Sequence, residues 1–262
     1  MRLSRPFFFG GSERRLFGLY TPPDGPAADR GMVLCNPWGP EALRAHRSCR
    51  FLAESLARNG VHVLRFDFFG TGDSGGDGRT GGLDGWIEDA ATAILELRTL
   101  TAARRMGIAG LRLGAAVAVA AGARDRSVRS IVLWDPVWDG GAWLDELGSS
   151  PSDGDHGARV DRGAESSPGE VAGFPLPAEF RRESAAIDAG WYGARARGSL
   201  LTVESEPSVK GREARAMLEA APAVRKVEYR VVPGPLAWLE EEDFGAGAVP
   251  VSLLEEVVSW VG

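Results

Sequence analysis

The stretch Arg105–Gly122, RMGIAGLRLGAAVAVAAG, constrains the fold more than any other part of the chain. A short apolar run, Met106–Ala109, leads into Gly110-Leu111-Arg112-Leu113-Gly114, and Ala115–Ala123 follows with small residues only. Such a run bounded by glycine reads as a buried strand, and the small-residue run reads as a helix packed tightly on its neighbours. Glycines at both ends of the turn let strand and helix approach closely, so that the residue between them projects from the top of the sheet. That residue is Arg112.

The rest of the chain alternates strands and helices around this unit. Pro6–Gly10 and Arg15–Tyr20 read as two short strands about the Gly10-Gly11 turn. Gly31–Asn36 is a continuous apolar strand, as expected for one buried on both faces. Pro37-Trp38-Gly39-Pro40 breaks it, and Glu41–Asn59 carries apolar residues at helical spacing before Gly60. Val61–Phe69 is a strand, Phe69–Gly85 a Gly/Asp loop, Trp86–Leu100 an amphipathic helix and Val128–Trp134 a further strand. Gly198–Val203, Val209–Ala221, Val224–Val232 and Val249–Val261 give a strand–helix–strand–helix finish. The alternation predicts an α/β fold: a mostly parallel sheet with helices on both faces.

One domain spanning residues 1–262 accommodates this pattern, with residues 140–190 inserted as a lid-like segment. Within the insertion, Ser149–Gly169 is Ser/Gly/Asp-rich and predicts a loop, and Pro177–Ala189 predicts a helix. An insertion here would lie over the carboxyl ends of the strands, where ligands bind in such sheets.

Charge and cysteine content narrow the partners. A net charge of −6 argues against nucleic acid and anionic membranes. Two cysteines, Cys35 and Cys49, supply neither a disulfide framework nor a metal cluster, and nothing calls for a cofactor. No apolar run reaches membrane-spanning length, and Met1–Gly11 has only a three-residue apolar core, so a cytoplasmic protein is expected.

Phe66–Gly78, FDFFGTGDSGGDG, satisfies two motif searches at once. Gly70-Thr71-Gly72-Asp73-Ser74-Gly75 is a literal G-x-G-x-x-G after a strand, but no helix begins within it to meet a pyrophosphate. Gly72-Asp73-Ser74-Gly75-Gly76 matches G-x-S-x-G, again without the helix that would make Ser74 a nucleophile. The remaining reading is a loop in which Asp67, Asp73 and Ser74 tie down a tight turn.

NPWGPE (Asn36–Glu41), RAHR (Arg44–Arg47), LRFDFFGTGDSGGD (Leu64–Asp77), GLRLGAAVA (Gly110–Ala118) and LWDPVWDG (Leu133–Gly140) together resemble the α/β-hydrolase superfamily. Within it, the chain is most similar to exosortase-A-system-associated hydrolases and S33 serine-aminopeptidase-like proteins. The resemblance implies a nucleophile elbow at Arg112, where active members carry serine. It implies a triad acid after the Gly198–Val203 strand, at Glu204 or Glu206, and a histidine in Pro233–Trp238, where the sequence has none. The three histidines are His46, His62 and His156, and only His46 is expected near the site mouth. The Ser…Asp/Glu…His order of the fold cannot be completed, so ordinary serine-hydrolase activity is not expected.

The resemblance leaves an oxyanion hole made from backbone N–H groups of Leu113 and of Trp38 or Gly39. Beside the Arg112 guanidinium, that pocket suits a carboxylate or phosphate, unless Glu41 first, or Asp135 second, neutralises Arg112 internally. Three functions follow. One is a protein binding an anionic or acyl small molecule in the old pocket. Another is an enzyme with a rebuilt site, of lyase, cyclase or acyl-transfer type, using Glu41, Asp135 or His46. The third is a scaffold or homodimer contacting its partner through Trp134, Trp138 and Trp143.

Overall fold

The computed structural model describes residues 3–25, 29–148, 169–239 and 248–262. Its strands are β1 (Arg5–Gly11), β2 (Arg14–Thr21), β3 (Arg30–Cys35), β4 (His62–Phe66), β5 (Arg105–Leu111), β6 (Val128–Trp134), the two-residue pair β7 (Glu170–Val171) and β8 (Phe174–Pro175), β9 (Gly198–Glu204) and β10 (Val224–Val231). The helices are α1 (Pro40–Arg58), α2 (Leu83–Thr101), α3 (Leu113–Arg124), α4 (Gly140–Gly148), α5 (Ala178–Ala185), α6 (Ala189–Arg195), α7 (Val209–Ala220) and α8 (Val251–Val261).

Eight strands form one sheet in the order β1-β2-β4-β3-β5-β6-β9-β10. The β1–β2 and β2–β4 pairs are antiparallel, and all pairs from β4 to β10 are parallel. Two apolar layers cover it. Met32, Leu34 and Val63 pack with α1 and α8, while Val33, Leu64 and Ile108 pack with α2 and α3. Strands buried on both faces explain the unbroken apolar runs of β3 and β5.

α3 is apolar all round because every side is covered: Leu113 to Gly122 are all buried. The glycines flanking Arg112 are required by contact. A Cβ on Gly110 would lie 2.0 Å from the Gly114 carbonyl oxygen, and one on Gly114 would lie 2.5 Å from the carbonyl oxygens of Cys35 and Asn36. The small residues of this stretch thus set how deeply α3 seats against β3 and β5.

Two predicted elements differ, and one helix was not predicted. β4 ends at Phe66 rather than Phe69, because the chain turns at Asp67, whose Oδ2 accepts the Asp73 N–H at 3.1 Å. The helix expected over Pro177–Ala189 is α5 and ends at Ala185, since Asp188 takes an extended conformation and caps a separate helix, α6, by accepting the Trp191 N–H. The start of the insertion, without a predicted element, is helix α4. Most of the predicted Ser149–Gly169 loop lies outside the described residues. No helix among the described residues is long and apolar enough to cross a membrane.

Candidate functional site

Arg112 sits where β5 gives way to α3, with φ 53° and ψ −122°. Positive φ is rare for a residue with a Cβ and is sustained only where surrounding contacts fix it. Here the Arg112 N–H donates to the Trp134 carbonyl at 3.0 Å, and its own carbonyl accepts the Ala115 N–H at 3.0 Å. The backbone therefore makes the sharp elbow expected from the glycines, at the carboxyl edge of the sheet.

The guanidinium is held on three sides. Its Nε donates to Glu41 Oε1 at 2.9 Å, its Nη2 donates to Glu146 Oε2 at 3.0 Å, and its Cζ lies 4.8 Å over the Trp238 ring. The side chains of Arg112 and Glu41 are only 13 % and 5 % exposed, whereas Glu146 is 59 % exposed. Glu41 Oε1 also accepts the Trp143 indole N–H at 3.3 Å. Burial pushes the Glu41 carboxyl up, opposed by Arg112 and Trp143. Burial alone would lower Arg112, but the Glu41 and Glu146 carboxylates outweigh it and hold the guanidinium charged.

Glu41 is thus the partner of Arg112, and Asp135, the second candidate, is engaged elsewhere. It follows β6 with φ 39°, and its carboxylate accepts the Ser205 N–H at 2.6 Å and the Ser205 hydroxyl at 2.8 Å. Burial raises its pKa to about 7, against the pull of those bonds and of Arg112. Of the two acids at the end of β9, Glu204, its last residue, is buried, accepting the Trp138 indole N–H at 2.5 Å and the Tyr229 hydroxyl, while Glu206 is exposed.

These groups do not share one pocket. Arg112 and Asp135 line an open cleft of about 360 Å³ with Trp138, Glu146, Glu204, Glu206 and Trp238. Trp38, Gly39 and His46 line a separate cavity over the end of β4. Leu113 is buried and lines neither, and Glu41 is enclosed between Arg112 and Trp143. His46, exposed on α1, is therefore not brought to the elbow, because its face of the helix looks toward β4 and the loop after it. His62 is occupied by the Tyr20 hydroxyl at 2.7 Å, and His156 lies outside the described residues. The strongly cationic pocket expected around Arg112 is not what forms. Asp135, Asp139, Glu146, Glu204 and Glu206 line the cleft against the cations Arg112 and Lys210.

The G-x-S-x-G at Gly72–Gly76 is structural. Ser74 Oγ donates to the Asp67 carbonyl at 2.5 Å and accepts the Phe17 N–H at 2.8 Å, which pins the loop to β2. Trp134, Trp138 and Trp143 are buried, so they offer no surface for a partner. Sequence reasoning missed Glu146. Its only signal was a carboxylate at helical spacing from Trp143, inside a segment treated as insertion.

Comparison with known proteins agrees with the architecture. The family model for serine aminopeptidase, S33, matches residues 44–145. A search of curated protein sequences finds no significant match. Among solved structures, the chain is similar to Est1E from Butyrivibrio proteoclasticus with ferulic acid bound, at 18% identity, covering 97% of this chain and 96% of that one with a TM-score of 0.66. It is also similar to an α/β serine hydrolase homologue from Coxiella burnetii, at 15% identity, 100% and 97% coverage and a TM-score of 0.61. XC6422 from Xanthomonas campestris, an α/β serine hydrolase without a lid, aligns at 16% identity, 99% and 92% coverage and a TM-score of 0.58. Strand order, the elbow between β5 and α3 and these likenesses show that the chain has the α/β-hydrolase fold.

Proposed function

We propose that the chain is a small-molecule-binding member of the α/β-hydrolase superfamily that does not carry out ordinary ester hydrolysis. The observation that carries this reading is the clamp on Arg112: the elbow position holds a guanidinium fixed by Glu41, Glu146 and Trp238. A nucleophilic hydroxyl needs a base within hydrogen-bond reach, and the loop where the family places histidine offers Leu236, Ala237 and Trp238 instead. In this reading the 140–190 insertion shapes the ligand site as a lid, since Trp143, Phe174 and Phe180 from it pack on Trp38. The ligand class is anionic or acyl, with the five acids of the Arg112 cleft disfavouring an anion in that cleft itself.

The test is turnover of p-nitrophenyl acetate and butyrate by wild type, Arg112→Ser and Arg112→Ser combined with Leu236→His. Wild type and the single variant are expected at background, because restoring one member of a nucleophile–base pair without the other recovers little. Efficient wild-type turnover overturns the proposal.

A second reading, an enzyme with a rebuilt acid–base centre, draws on Asp135. A carboxyl group titrating near neutrality at the wall of a cleft is a recurrent feature of catalytic sites. An activity whose pH profile is lost in Asp135→Asn would favour it.

A further inference from the structure

The cavity over the end of β4 has a volume of about 640 Å³ and an aromatic wall. Phe68 stacks on Trp86 with ring centroids 5.0 Å apart and planes 18° from parallel, and Phe66 meets Phe68 edge-on at 5.1 Å. The Trp86 indole N–H is already committed to the Phe69 carbonyl at 3.1 Å, so this wall presents faces and edges of rings rather than donors. Such a surface receives an apolar body.

At the other side of the same cavity lies Arg65, in β4. Strand alternation puts it on the face of Val63, toward α1, where the apolar layer excludes water. Arg65 is 7 % exposed, its Nε is buried without a hydrogen-bond partner, and it makes no ion pair among the described residues. A buried guanidinium in this state is unusual, because a charge removed from water is costly unless a partner contacts it, and Glu54 and Asp67 act on Arg65 only through space, without a direct ion pair. The acid two residues on, Asp67, has its Oδ2 taken by the Asp73 N–H. Arg112, by contrast, has two carboxylates of its own, whereas the buried Arg65 Nε is met by no acceptor among the described residues.

We propose that this cavity binds a monocarboxylate with an extended apolar body, the carboxylate on Arg65 and the body along Phe66, Phe68 and Trp86. The proposal rests on the small-molecule-binding reading above and moves the ligand from the Arg112 cleft to the β4 cavity. A guanidinium presents paired N–H donors that match a carboxylate, and a neutral head group forgoes that match. Leu43, on α1 and 69 % exposed at the cavity rim, marks an apolar mouth through which the tail enters.

The experiment uses one chain length in three forms: octanoate, octan-1-ol and p-nitrophenyl octanoate. Calorimetry with the 262-residue chain should give octanoate binding about tenfold tighter than octan-1-ol, the size expected of a charge-assisted hydrogen bond. Arg65→Met should abolish that preference while leaving alcohol binding intact. Arg65→Lys, which keeps charge and stem, should fold even if Arg65→Met does not, and should weaken octanoate several-fold with alcohol unchanged. Arg215→Gln, on the exposed face of α7 and outside the cavity lining, should leave the preference as in wild type. Equal affinity for acid and alcohol, a preference that survives both Arg65 variants, or no binding of either compound overturns the proposal. Hydrolysis of p-nitrophenyl octanoate tests the non-hydrolytic reading separately: turnover with an intact Arg65-dependent preference sinks that reading and leaves this site standing.

Discussion

Glu41, in the first turn of α1, and Arg112, at the bend between β5 and α3, are 71 residues apart and meet in an ion pair of 2.9 Å. The pair joins the two loops that a hydrolase of this fold uses to build its site, those following β3 and β5. Because both side chains are almost fully enclosed, removing Glu41 leaves the guanidinium only the largely exposed Glu146, and removing Arg112 leaves Glu41 only the Trp143 indole N–H.

Glu41→Gln should therefore lower stability by about 3 kcal/mol, and Glu146→Gln, which loses a mostly exposed partner, by under about 1 kcal/mol. At roughly 2–4 °C per kcal/mol for a chain of this size, the first change should drop the melting temperature by about 6–12 °C. Calorimetric melts of the two variants in parallel check this, and equal shifts would contradict it.

Asp135 should make stability depend on pH in the reverse of the usual carboxylate sense. Its pKa is raised from 3.8 to about 7 on folding, so between those values the folded state holds a proton that the unfolded state has lost. The contribution is fully present below about pH 4 and disappears as pH rises through 7. The stability difference between wild type and Asp135→Asn should thus move in favour of the variant from pH 4 to pH 7.5, as read from urea unfolding across that range. A constant difference would mean that Asp135 titrates as an ordinary carboxylate.

Ser74→Ala should cost about 1–2 kcal/mol, because it removes two hydrogen bonds at once and leaves the Phe17 N–H without its partner. It should not alter turnover of any ester. A change in activity larger than the change in folded fraction would restore Ser74 as a candidate nucleophile.

Gly72→Ala should be more damaging than its size suggests. Gly72 has φ 50°, and a Cβ there would come within 2.2 Å of Asp67 Oδ2, the oxygen that holds the Asp73 N–H. A loss of about 2 kcal/mol or more is expected, with backbone strain and a displaced carboxylate both contributing. Gly11→Ala, where a Cβ meets nothing within 4 Å, is the control.

What the sequence disclosed, and what it hid, follows physical lines. The elbow was readable because close approach of two backbones leaves glycine as the residue that fits, which marks Gly110 and Gly114 in the text of the chain. The Glu41 partnership was readable once the resemblance brought both loops to one edge of the sheet. The choice between Glu41 and Asp135 turned on Ser205, whose backbone and hydroxyl both donate to Asp135, and no spacing rule announces such a contact. Glu146 was hidden because α4 has a short apolar stripe next to a stretch without periodicity. Arg65 was passed over for a related reason. In a strand that is mostly apolar, an arginine reads as a side chain reaching for water, and only the packing of α1 shows it enclosed.

The triple hold on Arg112 also bears on how the molecule moves. Helices at the rim of a sheet commonly open one at a time, each with its own small free energy, and segments over a ligand site are drawn from the least stable of these. Here one planar group is shared by α1 through Glu41, by α4 through Glu146 and by the segment after β10 through Trp238. Fluctuations of these three segments are therefore coupled: when α4 lifts, the guanidinium loses a counter-charge and its remaining contacts loosen with it. Amide protons of α4 and of the first turn of α1 would then exchange as one cooperative unit rather than as separate fraying ends.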